Sequence, residues 1–234
     1  MDGEAGAITL LRRLARAREP EERCELCSAP IPPEHRHLLE TARSGIVCAC
    51  DGCALTFESV AGGRFKLIPR DARWLPDFEM SDADFQMLGL PINLAFITRS
   101  AGSDRIRAFY PSPGGATEAA LPVQSWQALI DRNPILDTLQ PDTEALLVNR
   151  VGDARDHFTA PLDVCYELVG LIRKHWRGFS GGDEVWAQIG IFFERLRDRS
   201  RIVQEANEFE GNGIGSEAVA REVGRVAARG DVNA

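Results

Sequence analysis

The chain has 234 residues, of which 44% are hydrophobic and 26% charged, a composition that fits a folded globular protein and excludes a mainly disordered one. No run approaches the roughly 18 consecutive apolar residues of a membrane-spanning helix. With 27 Lys and Arg against 35 Asp and Glu, the net charge is −8, which disfavours electrostatic capture of nucleic acid or anionic lipid.

The N-terminal segment, residues 1–23, carries a helix expected over residues 5–18. Leu10, Leu11 and Leu14 share one side of it, and Pro20 ends it. Met1–Thr9 lacks the basic head and apolar run of a secretory signal. Arg12-Arg13 is followed by Leu14-Ala15-Arg16-Ala17-Arg18 rather than by an apolar region, and Asp2 and Glu4 argue against an organelle presequence. The expected location is cytoplasmic. In that reducing compartment the six cysteines read as metal ligands or buried thiols, not disulfides.

Five of those cysteines fall between Cys24 and Cys53, inside an expected metal-binding module at residues 24–63. Cys24-Glu25-Leu26-Cys27 and Cys50-Asp51-Gly52-Cys53 are two C-x-x-C pairs separated by 22 residues. Each pair can grip one ion from a tight turn, and two pairs complete a tetrahedron around Zn²⁺. His35–Glu40 and Ser44–Ala49 read as strands joined at Thr41–Arg43, and Gly52–Val60 as a helix. A knuckle, a hairpin and a helix opened by the second ligand pair form the order of a treble clef; a zinc ribbon would have a strand in place of the helix. A helix N-terminus also favours thiolates. The predicted ligands are therefore Cys24, Cys27, Cys50 and Cys53.

Cys48 would share a strand face with Cys50 and could replace it, or serve as a small buried apolar residue. His35 and His37 also share a face; either could replace a thiolate, or they cover the site and donate hydrogen bonds near it. Iron is the alternative metal, as in a rubredoxin-like site. However, Ser28 and Ala54 follow the pairs where rubredoxin knuckles usually carry Gly, and neither pair contains Pro. Four thiolates around Zn²⁺ leave no position for water, so the expected role is structural. An HNH nuclease would need a His or Asn in the helix, which Gly52–Val60 lacks. Residues 1–75 hold 11 basic and 11 acidic residues, a poor match to phosphate.

The expected larger domain, residues 64–200, starts with a short strand at Phe65–Ile68. A helix capped by Ser81 follows, with Asp82 and Asp84 in its first turn. Strands are expected at Asn93–Thr98 and Arg105–Tyr110, joined as a hairpin, then a loop at Pro111–Gly115, a helix at Trp126–Arg132 and a strand at Glu144–Val151. Leu162–Trp176 and Asp183–Arg199 read as helices around Gly178-Phe179-Ser180-Gly181-Gly182; Val185, Ile189, Phe192 and Leu196 keep the spacing of a buried stripe. Residues 201–234 are expected to be a mobile tail.

Little in this domain suggests catalysis. Cys165 would need a base such as His157 or His175, and His175 lies ten residues along the same expected helix, roughly 15 Å away. Pro113-Gly114-Gly115-Ala116-Thr117-Glu118 lacks the Lys and Gly spacing of a P-loop. Arg173, His175, Trp176, Arg177 and Phe179 form a basic, aromatic patch that suits helix capping and core, with partner contact as a second role.

Several motifs together resemble a bacterial family whose genes commonly neighbour nickel–iron hydrogenase genes. They are Cys24-Glu25-Leu26-Cys27, His35-Arg36-His37-Leu38-Leu39-Glu40, Cys48-Ala49-Cys50 with Cys53, and Tyr110-Pro111-Ser112-Pro113-Gly114-Gly115-Ala116-Thr117-Glu118. Pro141–Leu147, Cys165–Gly170, Trp176–Gly182 and Val185-Trp186 also match, so the resemblance covers roughly residues 24–199. It implies an accessory or partner protein of a hydrogenase system, meeting hydrogenase subunits or maturation factors, and it brings no catalytic residue. The expectation is thus an α+β protein: a treble-clef or zinc-ribbon-like four-cysteine module joined to a larger mixed α+β domain, read as non-catalytic. The alternatives are a rubredoxin-like electron-transfer partner and, behind it, an enzyme using residues 90–180 through His157 or Cys165.

Overall fold

A computed structural model describes residues 21–58, 63–103 and 105–203. The helix expected over residues 5–18 and residues 204–234 of the expected tail lie outside the described residues. What is described is a mixed α+β fold with one small and one large sheet.

The small sheet has the order β2-β1-β3, with β1 at Arg36–Glu40, β2 at Gly45–Ala49 and β3 at Phe65–Leu67. Helix α1, Asp51–Glu58, follows β2 directly. Residues Thr41–Ser44 form the turn between β1 and β2, with Ser44 at φ 51°. The turn is one residue longer than the sequence suggested, and it sets the register Glu40↔Gly45 through His37↔Cys48 to Arg36↔Ala49. Ile31, Leu38, Ala49, Ala54 and Phe65 pack with Cys24 in a core of few side chains, the situation in which small domains rely on a metal or cross-link.

The large sheet has the order β10-β4-β9-β8-β5-β6-β7. Its strands are β4 (Arg73–Trp74), β5 (Leu94–Arg99), β6 (Ile106–Ser112), β7 (Gly115–Ala119), β8 (Glu144–Asn149), β9 (Asp156–Pro161) and β10 (Arg201–Ile202). All neighbours are antiparallel apart from β10 and β4. Strand β8 is buried at all six positions because helices cover both faces and its alternate residues feed two cores. Leu147 joins Phe96 and Phe158 under α4 (Leu162–His175) and α5 (Gly182–Arg199). Leu146 and Val148 point the other way, into the layer containing Phe85, Trp126, Leu129 and Leu136. That layer is built by α2 (Asp82–Met87), α3 (Val123–Arg132) and a 3₁₀ turn at Pro134–Thr138.

Local chemistry accounts for the boundaries. Ser81 and Asp84 form a reciprocal capping box at the start of α2, and Arg132 of α3 ties Asp84 at 2.8 Å. Between α4 and α5, Gly181 has φ 88°, and a Cβ there would lie 2.8 Å from Val185 Cγ1. The loop expected at Pro111–Gly115 is instead a tight hairpin in which Ser112 pairs with Gly115 across β6 and β7. Strand β9 was not anticipated: Asp156-His157-Phe158-Thr159-Ala160-Pro161 is polar at alternate positions yet buried throughout.

The module lies against the large domain. Leu39, Ile68 and Ala72 belong to the core beneath α4 and α5. Lys66 of β3 meets Asp142 at 2.6 Å, and His37 of β1 meets Asp163 at 2.7 Å.

Candidate metal centre

Cys24 and Cys27 sit on a knuckle closed by Ser28 N–H donating to the Cys24 carbonyl at 2.7 Å and Cys24 N–H donating to the Ala29 carbonyl at 2.8 Å. Ser28 takes a left-handed conformation, φ 63°, to turn the chain back. Cys50 immediately precedes α1, and Cys53 lies in its first turn. The four potential ligand atoms lie within 4.8 Å of one another, and Cys27 Sγ is 3.6 Å from Cys50 Sγ. A tetrahedron with metal–sulfur bonds of about 2.3 Å has sulfur–sulfur edges of about 3.8 Å. The four residues therefore fit a single tetrahedral ion.

The thiols differ in acidity. Burial pushes the Cys24 thiol up, but the backbone N–H groups of Cys50, Leu26 and Cys27 outweigh it and bring it down to about 6. Burial, then the adjoining thiols of Cys27 and Cys50, push Cys53 up to about 12.

Cys48 does not join this set. It groups with His35 and His37, whose potential ligand atoms lie within 4.8 Å of each other and of the sulfur. His37 and Cys48 are directly opposed on β1 and β2, so their side chains share a face. The His35 and His37 rings stand edge to face with centroids 4.6 Å apart. Asp163, which holds His37, has no local signal in the sequence because it lies 126 residues away.

The other candidates are dispersed. Cys165 is fully buried in the core beneath α4, and burial drives its thiol strongly upward. His157 faces the opposite layer, stacked on Phe78 at 4.7 Å, so the sheet separates the two. His175 ends α4 and pairs with Glu184 at 2.7 Å. Trp176 and Trp186 donate to the Gly178 and Ser180 carbonyls of the α4–α5 turn, and Phe179 projects fully into solvent at its tip. Among the described residues no helix is long and apolar enough to cross a membrane.

No curated protein and no solved structure matches the chain. A family profile covers residues 23–200, from the cysteine knuckle to the end of α5. The chain belongs to the family of unknown function DUF5947.

Proposed function

We propose that this chain is a non-catalytic, zinc-containing accessory protein that acts by binding another protein in the cytoplasm, with that partner belonging to a nickel–iron hydrogenase system. The observation that carries the zinc reading is the convergence of Cys24, Cys27, Cys50 and Cys53 within 4.8 Å at one end of a very small core. Four thiolates fill a tetrahedral ion's coordination, so the metal supplies folding energy rather than a reactive water. The order of knuckle, hairpin and helix, with the second ligand pair at the start of α1, supports a treble clef. None of the six cysteines is paired in a disulfide, which leaves their sulfurs available to a metal. Phe179 and Trp186, both exposed, offer an aromatic anchor of the kind protein interfaces use. The hydrogenase context rests on the motif resemblance.

Metal analysis and an absorption spectrum of the purified full chain, paired with capture from a native extract, test the reading. The expected result is a colourless zinc protein that loses metal in Cys27→Ser and retains hydrogenase subunits or maturation factors. A coloured iron protein overturns zinc in favour of rubredoxin-like electron transfer. Capture without any hydrogenase component overturns the partner assignment.

A further inference from the structure

Beside the four-cysteine centre, His35, His37 and Cys48 form a set of three side chains from one hairpin and its approach, with potential ligand atoms within 4.8 Å of one another. Each histidine has one nitrogen committed elsewhere. His35 Nδ1–H donates to the Pro32 carbonyl at 2.9 Å, and His37 Nδ1–H donates to Asp163 Oδ2 at 2.7 Å. Both bonds leave Nε2 as the lone-pair nitrogen, the arrangement that fixes imidazole for a metal. His35 Nε2 is buried with no hydrogen-bond partner, on a side chain only 6% exposed. A polar atom so placed is costly unless something binds it.

The surroundings carry negative charge. Glu22 Oε2 lies 3.3 Å from His35 Nδ1, Glu25 accepts the Cys48 backbone N–H at 2.8 Å, and Asp163 holds His37. A cleft of about 530 Å³ adjoins the two histidines and includes Arg70, Asp163, Glu167 and Arg199 in its wall.

We propose that His35, His37 and Cys48 bind a second divalent transition-metal cation of zinc-like softness, through two imidazole nitrogens and one thiolate. On binding, the sulfur–metal bond replaces the Cys48 S–H bond, and the proton leaves to solvent. Three protein ligands leave a fourth tetrahedral position for water or an incoming donor, the coordination that distinguishes exchangeable sites from closed structural ones. The ligand set mixes imidazole with thiolate, which suits zinc-type ions over Mg²⁺ or Ca²⁺.

The test is Zn²⁺ stoichiometry of the full chain at buffered free Zn²⁺, measured for wild type, Cys48→Ser, His35→Gln and Cys27→Ser. The expected result is the loss of one equivalent in both Cys48→Ser and His35→Gln, each of which keeps the four-cysteine equivalent. Wild-type stoichiometry in Cys48→Ser and His35→Gln overturns the proposal. If Cys27→Ser alone leaves the zinc content unchanged, the four-cysteine reading fails while the second site stands. Co²⁺ provides an independent readout: the second equivalent should show roughly a quarter of the thiolate charge-transfer absorbance of the first, one thiolate against four. A second equivalent lacking any thiolate band also overturns it.

Discussion

His37 on β1 and Asp163 in the first turn of α4 meet at 2.7 Å, so one carboxylate both orients a candidate metal ligand and fastens the module to the large domain. Asp163→Asn keeps the shape of the contact and removes its charge. It is expected to weaken Zn²⁺ binding at the His35–His37–Cys48 site by about 10–100-fold, read by competition with a chromophoric chelator. An unchanged affinity would show that Asp163 plays no part in holding the metal.

Cys27→Ser removes one corner of the four-cysteine centre. Because metal binding is coupled to folding in so small a core, the module should lose several kcal/mol, on the order of the contribution of a structural ion. Faster hydrogen exchange across β1, β2 and β3, with the large sheet still protected, is the expected pattern. Wild-type melting and metal content in the variant would remove Cys27 from the ligand set.

Acid should act on the domain through His157. Burial first, then Arg150 and Arg155, lower its pKa to about 4 from an ordinary value of about 6.5. The unfolded chain therefore takes up a proton as pH falls through about 6.5, while the folded one does not until about 4. Stability is lost across that window, by about 3 kcal/mol. His157→Phe, which can keep the stack on Phe78, should flatten this slope in urea unfolding. Comparing variant with wild type isolates the effect from loss of metal, which both share. Parallel pH profiles would exclude His157 as the source.

Gly181 occupies a left-handed position at the start of α5 with Val185 packed against it. Gly181→Ala should cost roughly 1–3 kcal/mol from strain and crowding, measured as a shift in thermal midpoint. A gain in stability would mean that the α4–α5 turn relaxes freely.

Much of this architecture was legible because local signals were strong. The two C-x-x-C pairs named four residues that do converge, and Ser81, with Asp84 three residues on, marked a helix start that carries a full capping box. The Val185–Leu196 stripe is buried as its spacing indicated. The second cluster was hidden by a single residue of turn length. A three-residue turn at Thr41–Arg43 would set Cys48 opposite Arg36, whereas the four-residue turn sets it opposite His37 and so moves its sulfur to the histidine face. Strand β9 was missed because buried His157 and Thr159 mimic a solvent face, and Asp163 because only tertiary folding brings it to His37.

The strand order also dictates a sequence of assembly. Every thiol of the four-cysteine set is contained between Cys24 and Cys53 and needs only short loops to converge, so the proposed ion would have its ligands assembled while synthesis of the rest continues. The outer edge of the large sheet waits far longer, because β10 at Arg201–Ile202 pairs with β4 at Arg73–Trp74. A nascent chain halted at α5 would thus hold a closed four-cysteine cluster on a sheet whose final seam is still open.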